Sequence, residues 1–207
     1  MTRILGFMGS PRAGGNTDIL LDALLAGATA AGGHVEKTML AGSRITPCLE
    51  CGGCDETGEC VLDDDMTPLY GRIAAADVIV VASPIFFYNI TSHTQALVER
   101  SQAFWKGKYA LKRGVLGGKR RRGVFLSLGA TRGKLLFDGP LRVMRYFFDA
   151  IDAEFAGALL YRGIEAKGAV KEHPSALEEG RKLGGLLAEC GDLSVLERLH
   201  RSQGAGS

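Results

Sequence analysis

Cys48, Cys51, Cys54 and Cys60 share one short stretch in the spacing C-x2-C-x2-C-x5-C, and they are four of the chain's five cysteines. One short loop cannot bury four thiols, but it can wrap them around one metal centre. A [4Fe–4S] cube takes four thiolates, and three cysteines at two-residue gaps with a fourth nearby can supply them from a single segment. Zinc also accepts four thiolates, although its sites more often join two separated C-x2-C knuckles. Uncoordinated thiols are the third reading. The first of these makes the chain a redox protein.

A second constellation lies upstream. Gly9-Ser10-Pro11-Arg12-Ala13-Gly14-Gly15-Asn16-Thr17 joins an apolar run to a helical pattern. Backbone N–H groups at a helix start, together with the helix dipole, favour a phosphate there. Ser10, Asn16 and Thr17 can donate side-chain hydrogen bonds, and Arg12 can pair with the charge. The segment lacks the Gly-Lys-Ser/Thr ending of a P-loop and is not G-x-G-x-x-G. A capped helix after a glycine-rich turn is the plainer alternative.

The segment Ser83-Pro84-Ile85-Phe86-Phe87-Tyr88-Asn89-Ile90 follows another apolar run and carries three consecutive aromatics. These can wall a planar ring, with Asn89 reaching its polar edge, or they can pack into the domain or a dimer interface. A third loop, from Ser127 through Gly129 to Gly133, can close the far side. The expected ring frame is Pro84, Ile85, Phe86, Phe87, Asn89, Ser127 and Gly129, with Ser10, Arg12, Asn16 and Thr17 on the phosphate. A phosphate cradle, an aromatic wall and a glycine-rich lid together imply FMN.

These loops must be positioned by regular elements. Strands are predicted at Arg3–Met8, His34–Leu40, Asp77–Ala82, Gly123–Leu128 and Glu154–Tyr161. Helices are predicted at Thr17–Ala31, Asp65–Ala76, Thr91–Trp105, Leu135–Ala150 and Pro174–His200. The run DVIVVA suits a strand buried on both faces, as in a parallel sheet. The β/α alternation predicts an α/β fold, a flavodoxin-like five-stranded parallel sheet in the order 2-1-3-4-5 with helices on both faces. In that order the first and third strands flank the point where ligands bind, which is where the two loops emerge. The cysteine loop, residues 43–63, leaves the second strand and is expected on the same edge. One domain is expected over residues 1–200, with a basic excursion at 106–122 and a flexible tail at 201–207.

GSPRAGGNTDILL, ITPCLECGGCDETGECVLDDDM and ADVIVVASPIFFYNIT resemble the iron–sulfur flavoprotein branch of the NADPH-dependent FMN reductase superfamily. The resemblance covers the first half of the chain, and the second half matches in its β/α pattern. It implies a [4Fe–4S] cluster on the four cysteines beside FMN. It also implies a homo-dimer or tetramer, with FMN at a dimer interface and clusters sharing electrons across subunits. Ferredoxin or a similar one-electron donor is the implied partner. A cluster-free NAD(P)H-dependent FMN or quinone reductase is the rival enzyme, and a zinc-stabilised binding module the non-enzymatic rival.

Bulk properties are ordinary for a soluble globular protein. The 207 residues are 46% hydrophobic and 23% charged, with a net charge of +2. That balance offers nothing for nucleic acid, and no apolar run is long enough for a bilayer. The first residues lack a signal-peptide pattern, so a cytoplasmic setting is expected, where clustered thiols stay reduced. Asp63-Asp64-Asp65 reads as the acidic start of a helix. His34, His93, His173 and His200 show no ligand spacing, and Cys190 reads as a small buried hydrophobe in the last helix. Gly118-Lys119-Arg120-Arg121-Arg122 reads as a charged surface turn, with docking of an acidic ferredoxin or the 2′-phosphate of NADPH as the functional alternative.

Overall fold

The computed structural model describes residues 1–114, 116–119 and 121–189. Five strands, β1 (Arg3–Met8), β2 (His34–Met39), β3 (Val78–Ala82), β4 (Arg121–Gly129) and β5 (Ala153–Arg162), form one sheet in the order β2-β1-β3-β4-β5. Every neighbouring pair is parallel. The expected order is therefore observed. Central β3, VIVVA, is buried at all five positions. Ile79 and Val81 join one apolar layer, while Val78, Val80 and Ala82 join the other.

Each layer is completed by helices. Leu20, Leu21 and Leu24 of α1 (Asn16–Ala30) and Leu183 and Leu187 of α6 (Ala176–Ala188) cover one face. Leu69 and Ile73 of α2 (Thr67–Ala75), Leu97 of α3 (Ser92–Arg100), and Met144, Phe147 and Phe148 of α5 (Asp138–Ala150) cover the other. The α1–α6 contact is unusually close because glycines face backbone. A Cβ at Gly27 would strike the main chain of Arg181, and one at Gly184 the carbonyl of Leu24.

Two elements depart from expectation. The helix predicted over Thr91–Trp105 is interrupted after Arg100. It resumes as α4 (Gln102–Trp105) and a π turn at Lys106–Ala110. Ser101 Oγ donates to the Leu97 carbonyl at 3.0 Å, a back-bond that bends helices. The last helix, predicted to His200, is described to Ala188. Cys190, His200 and residues 201–207 lie outside the described residues, as does Arg120.

The second departure is at the basic excursion. β4 begins at Arg121, whose side chain is buried, not on the surface. Its guanidinium donates to the carbonyls of Ile73, at 2.5 Å, and Ile151. Lys119 Nζ binds Asp77 Oδ1 at 2.5 Å and the Ala75 carbonyl at 3.2 Å. Both cations therefore serve the amino ends of the strands. No described helix is long and apolar enough to cross a membrane.

Candidate functional site

The loops that follow β1, β3, β4 and β5 meet at the carboxyl edge of the sheet, and buried hydroxyls join three of them. Gly9 N–H donates to the Ala82 carbonyl at 2.7 Å. Thr91 Oγ1 donates back to the Gly9 carbonyl at 2.6 Å. Ser83 Oγ accepts from Thr91 N–H at 3.1 Å, and Ser127 Oγ donates to the Ser83 carbonyl at 2.7 Å. Gly9 has to be glycine, because a Cβ there would collide with the Thr94 hydroxyl. The Ser127 hydroxyl, expected at a ring, is thus engaged as a strut between β3 and β4.

Between these loops lies a cleft of about 230 Å³, lined by Ser10, Arg12, Thr17, Pro84, Ile85 and Phe86 among others. Seven of the eleven residues expected at a cofactor line it: these six and Asn16. The phosphate end is well formed. Helical hydrogen bonding in α1 begins at Ile19 N–H to the Gly15 carbonyl, and Gly15 contributes no side-chain cap. The first-turn N–H groups of Asn16, Thr17 and Asp18 therefore have no intrahelical acceptor. Ser10 is buried, and its Oγ accepts from Arg12 N–H at 3.1 Å, which leaves the hydroxyl proton to donate into the cleft. Unpaired N–H groups, a hydroxyl and a guanidinium at one helix start fit a phosphate ester.

The aromatic segment is a tight turn. Phe86 and Asn89 exchange backbone hydrogen bonds of 2.8 and 2.9 Å. Phe87 and Tyr88 between them take φ of +49° and +60°. Left-handed backbone at bulky residues costs of order 1 kcal/mol each. Phe86 lines the cleft, while Phe87 is fully exposed at 103%. The Tyr88 hydroxyl lies over Gly133, 2.5 Å from where a Cβ would stand. Asn89 Oδ1 accepts from Ile90 N–H at 2.8 Å, so that amide oxygen is engaged by the turn itself. Gly129 gives room to Leu136 and Ile85. The segment that sequence reasoning missed is the one after β5, from which Ile164 and Glu165 line the cleft. Parallel topology was the available signal, since that segment must emerge on the same edge.

The cysteine loop is closed at its base by a buried cation. Arg100 is 1% exposed, and its guanidinium donates to the Thr46 carbonyl (2.9 Å), the Leu62 carbonyl (3.3 Å) and Asp64 Oδ2 (2.6 Å). Thr46 precedes Cys48 and Leu62 follows Cys60, so one side chain holds both ends. Asp64 also accepts from Thr46 N–H at 3.0 Å and Met66 N–H at 2.9 Å. Burial alone would raise the Asp64 pKa, but Arg100 and these N–H groups outweigh it and hold the carboxyl below its usual range. The three aspartates expected at a helix start lie just ahead of α2, whose N-cap is Met66 without a side-chain cap, so Asp64 serves the loop base instead.

All four thiols of the loop are free, with Cys48 and Cys51 exposed. Burial, then the Asp55 carboxylate, and further the Cys60 and Cys48 thiolates push the Cys54 thiol up. A bound cation reverses that bias, since a coordinated thiol is held deprotonated. Among the described residues no three Cys, His, Asp or Glu side chains converge on one point. The donors fit a thiolate-ligated centre in kind and number, and the loop must draw in to complete it.

The loop does not lie beside the cleft. Asp55 pairs with Lys106 at 2.6 Å, and a Cβ on Gly58 would be 3.2 Å from the Gly107 Cα. Cys60 lines a cavity of about 390 Å³ shared with Ala150 and Asp152, which lead into β5. The cleft instead takes Ile164 and Glu165, just beyond the other end of β5. That ten-residue strand is about 33 Å long at roughly 3.3 Å per residue. Adjacency of β1 and β2 suggested a shared edge. The loop defeats it by running from β2 across the helical face.

Residues 2–128 match the model of the family described as NADPH-dependent FMN reductase. An iron-sulfur flavoprotein from Methanosarcina thermophila is 35% identical over 130 residues, which is 63% of this chain and 64% of that protein. The matched region is thus less than two thirds of the length of that curated relative. Two solved structures share the fold at low identity. NAD(P)H:quinone oxidoreductase from Methanothermobacter marburgensis has a TM-score of 0.67 at 18% identity, covering 90% of this chain and 98% of that one. RosB with bound 8-demethyl-8-formylriboflavin-5'-phosphate also has a TM-score of 0.67, at 16% identity, covering 100% of this chain and 89% of that one.

Proposed function

Because the chain belongs to the NADPH-dependent FMN reductase family, we propose that it is an FMN-dependent electron-transfer protein that also carries a [4Fe–4S] cluster. One observation carries the reading: a single chain joins a cleft suited to a phosphate ester with a clamped loop of four free thiols. Ser10, Arg12 and the first-turn N–H groups of α1 bind the phosphate. Pro84, Ile85 and Phe86 hold the ring and exclude water from it. Cys48, Cys51, Cys54 and Cys60 ligate the cluster. When bound, FMN exchanges electrons singly or in pairs and a cluster exchanges them singly, so together they join one-electron to two-electron chemistry.

The separation of loop and cleft along β5 favours a relay between subunits over one within a subunit. Fully exposed Phe87 at the cleft mouth is apolar surface that a second copy of the chain would cover. A homo-dimer or tetramer in the cytoplasm, fed by ferredoxin or a similar one-electron donor, completes the reading. Buried Arg121 and paired Lys119 do not supply the donor's docking patch.

The test is anaerobic mixing of the purified protein with reduced ferredoxin and, separately, with NADPH. Ferredoxin is expected to bleach the flavin faster than NADPH does. Rapid bleaching by NADPH in an iron-free preparation, with none by ferredoxin, supports direct hydride transfer from nicotinamide instead.

A further inference from the structure

Asn16 opens α1 where an amide donor to phosphate is expected, yet both ends of its side chain are engaged elsewhere. Nδ2 donates to the Ala166 carbonyl at 2.8 Å, and Oδ1 accepts from Val170 N–H at 3.2 Å. Asn16 therefore straps the segment after β5 to the phosphate loop. Between the two tethers stands Lys167. A Cβ built on Gly14 would touch Lys167 Cε and Nζ, each at 3.9 Å. The ammonium thus lies over the crown of the phosphate loop, where Gly14 takes φ +63°. Among the described residues Lys167 forms no ion pair.

We propose that Lys167 is a second cation for the 5′-phosphate of the cofactor, and that Asn16 is a positioning residue that sets Lys167 in place. This rests on the reading that the cleft holds FMN. The local charges agree with it. Asp18 Oδ2 accepts from Gly14 N–H at 2.7 Å, and its other oxygen pairs with Lys37. Glu165 also lines the cleft and opposes an anion. Arg12 alone would only offset Glu165, and Lys167 tips the balance toward a dianion. A lysine is suited to this place because its compact charge on a flexible stem follows a phosphate without demanding planar geometry.

The test is titration of FMN and of riboflavin, which lacks the phosphate, into the flavin-stripped full chain. Lys167→Gln is expected to weaken FMN roughly fivefold to tenfold, the range of one charge-assisted hydrogen bond at a partly exposed site. Riboflavin affinity stays unchanged, which also reports an intact fold. Asn16→Ala is expected to weaken FMN by a similar factor, and adding Lys167→Gln to it then has less than about a twofold further effect. An unchanged FMN-to-riboflavin ratio in Lys167→Gln overturns the assignment of Lys167. Fully multiplicative losses in the double variant overturn the positioning role of Asn16. A wild-type chain that binds neither flavin overturns the cleft reading, and the proposal with it.

Discussion

Cys51→Ser is expected to strip the protein of iron while leaving FMN in place. Cys51 is exposed on the loop, so the change leaves no cavity and the fold tolerates it. It removes one of the four thiolates that this loop offers to a cluster. Loss of a hydrogen-bonding partner behind a metal ligand already costs 10- to 100-fold in affinity. Loss of the ligand itself should cost at least that, so iron and acid-labile sulfide should fall roughly tenfold or more. The flavin cleft is built at the other end of β5 from residues that do not touch the loop, and distant sites act independently. FMN affinity should therefore stay within about twofold, while reduction by ferredoxin is lost. Undiminished iron and undiminished ferredoxin-driven reduction in this variant would contradict the assignment of the four cysteines.

Arg100→Met is expected to cause the largest loss of stability among the changes considered. Arg100 is buried, as is most of Asp64, whose side chain is 12% exposed. Removing one partner of a buried pair leaves the other charge uncompensated, at about 3 kcal/mol for a site that keeps some water contact. For a chain of this size that is roughly 6–12 °C in Tm. The carbonyls of Thr46 and Leu62 lose their donor together, so both ends of the cysteine loop are released. Iron content should fall with stability, although no cysteine has changed. Acid should imitate the variant. The Asp64 carboxyl is held below its unfolded value of about 3.9, so its contribution is complete above that pH. It is lost as pH falls through the lower folded value. Denaturant titrations of wild type and Arg100→Met should therefore converge as pH drops below about 4. A gap that persists unchanged there would place the contribution of Arg100 in its carbonyl hydrogen bonds and packing, not in its pairing with Asp64.

The parts of this molecule legible in the sequence are those governed by local pattern. The run DVIVVA reads as a strand covered on both faces, and the glycine-rich break after Met8 as a turn into α1. Parallel order then brings Ser10, Arg12, Thr17, Pro84, Ile85 and Phe86 to one cleft without further information. What stayed hidden depends on contacts far apart in sequence. Asn16 reads as a phosphate donor, and its strap to Ala166 and Val170, some 150 positions away, has no local signature. Arg100 and Arg121 carry charge, which locally signals solvent, yet both are buried because carbonyls at distant turns need donors. The path of the cysteine loop was equally hidden. Its direction is set by the Arg100 clamp and by packing of Gly58 on Gly107, neither of which has a sequence signature.

The most direct measurement is the composition of the protein itself, purified without oxygen, with iron, acid-labile sulfide, zinc and flavin quantified per chain. The proposed function predicts about four iron and about four sulfide on the four thiols, with about one FMN in the phosphate cleft and zinc at background. Flavin with zinc, or flavin with neither metal, under those conditions would contradict it.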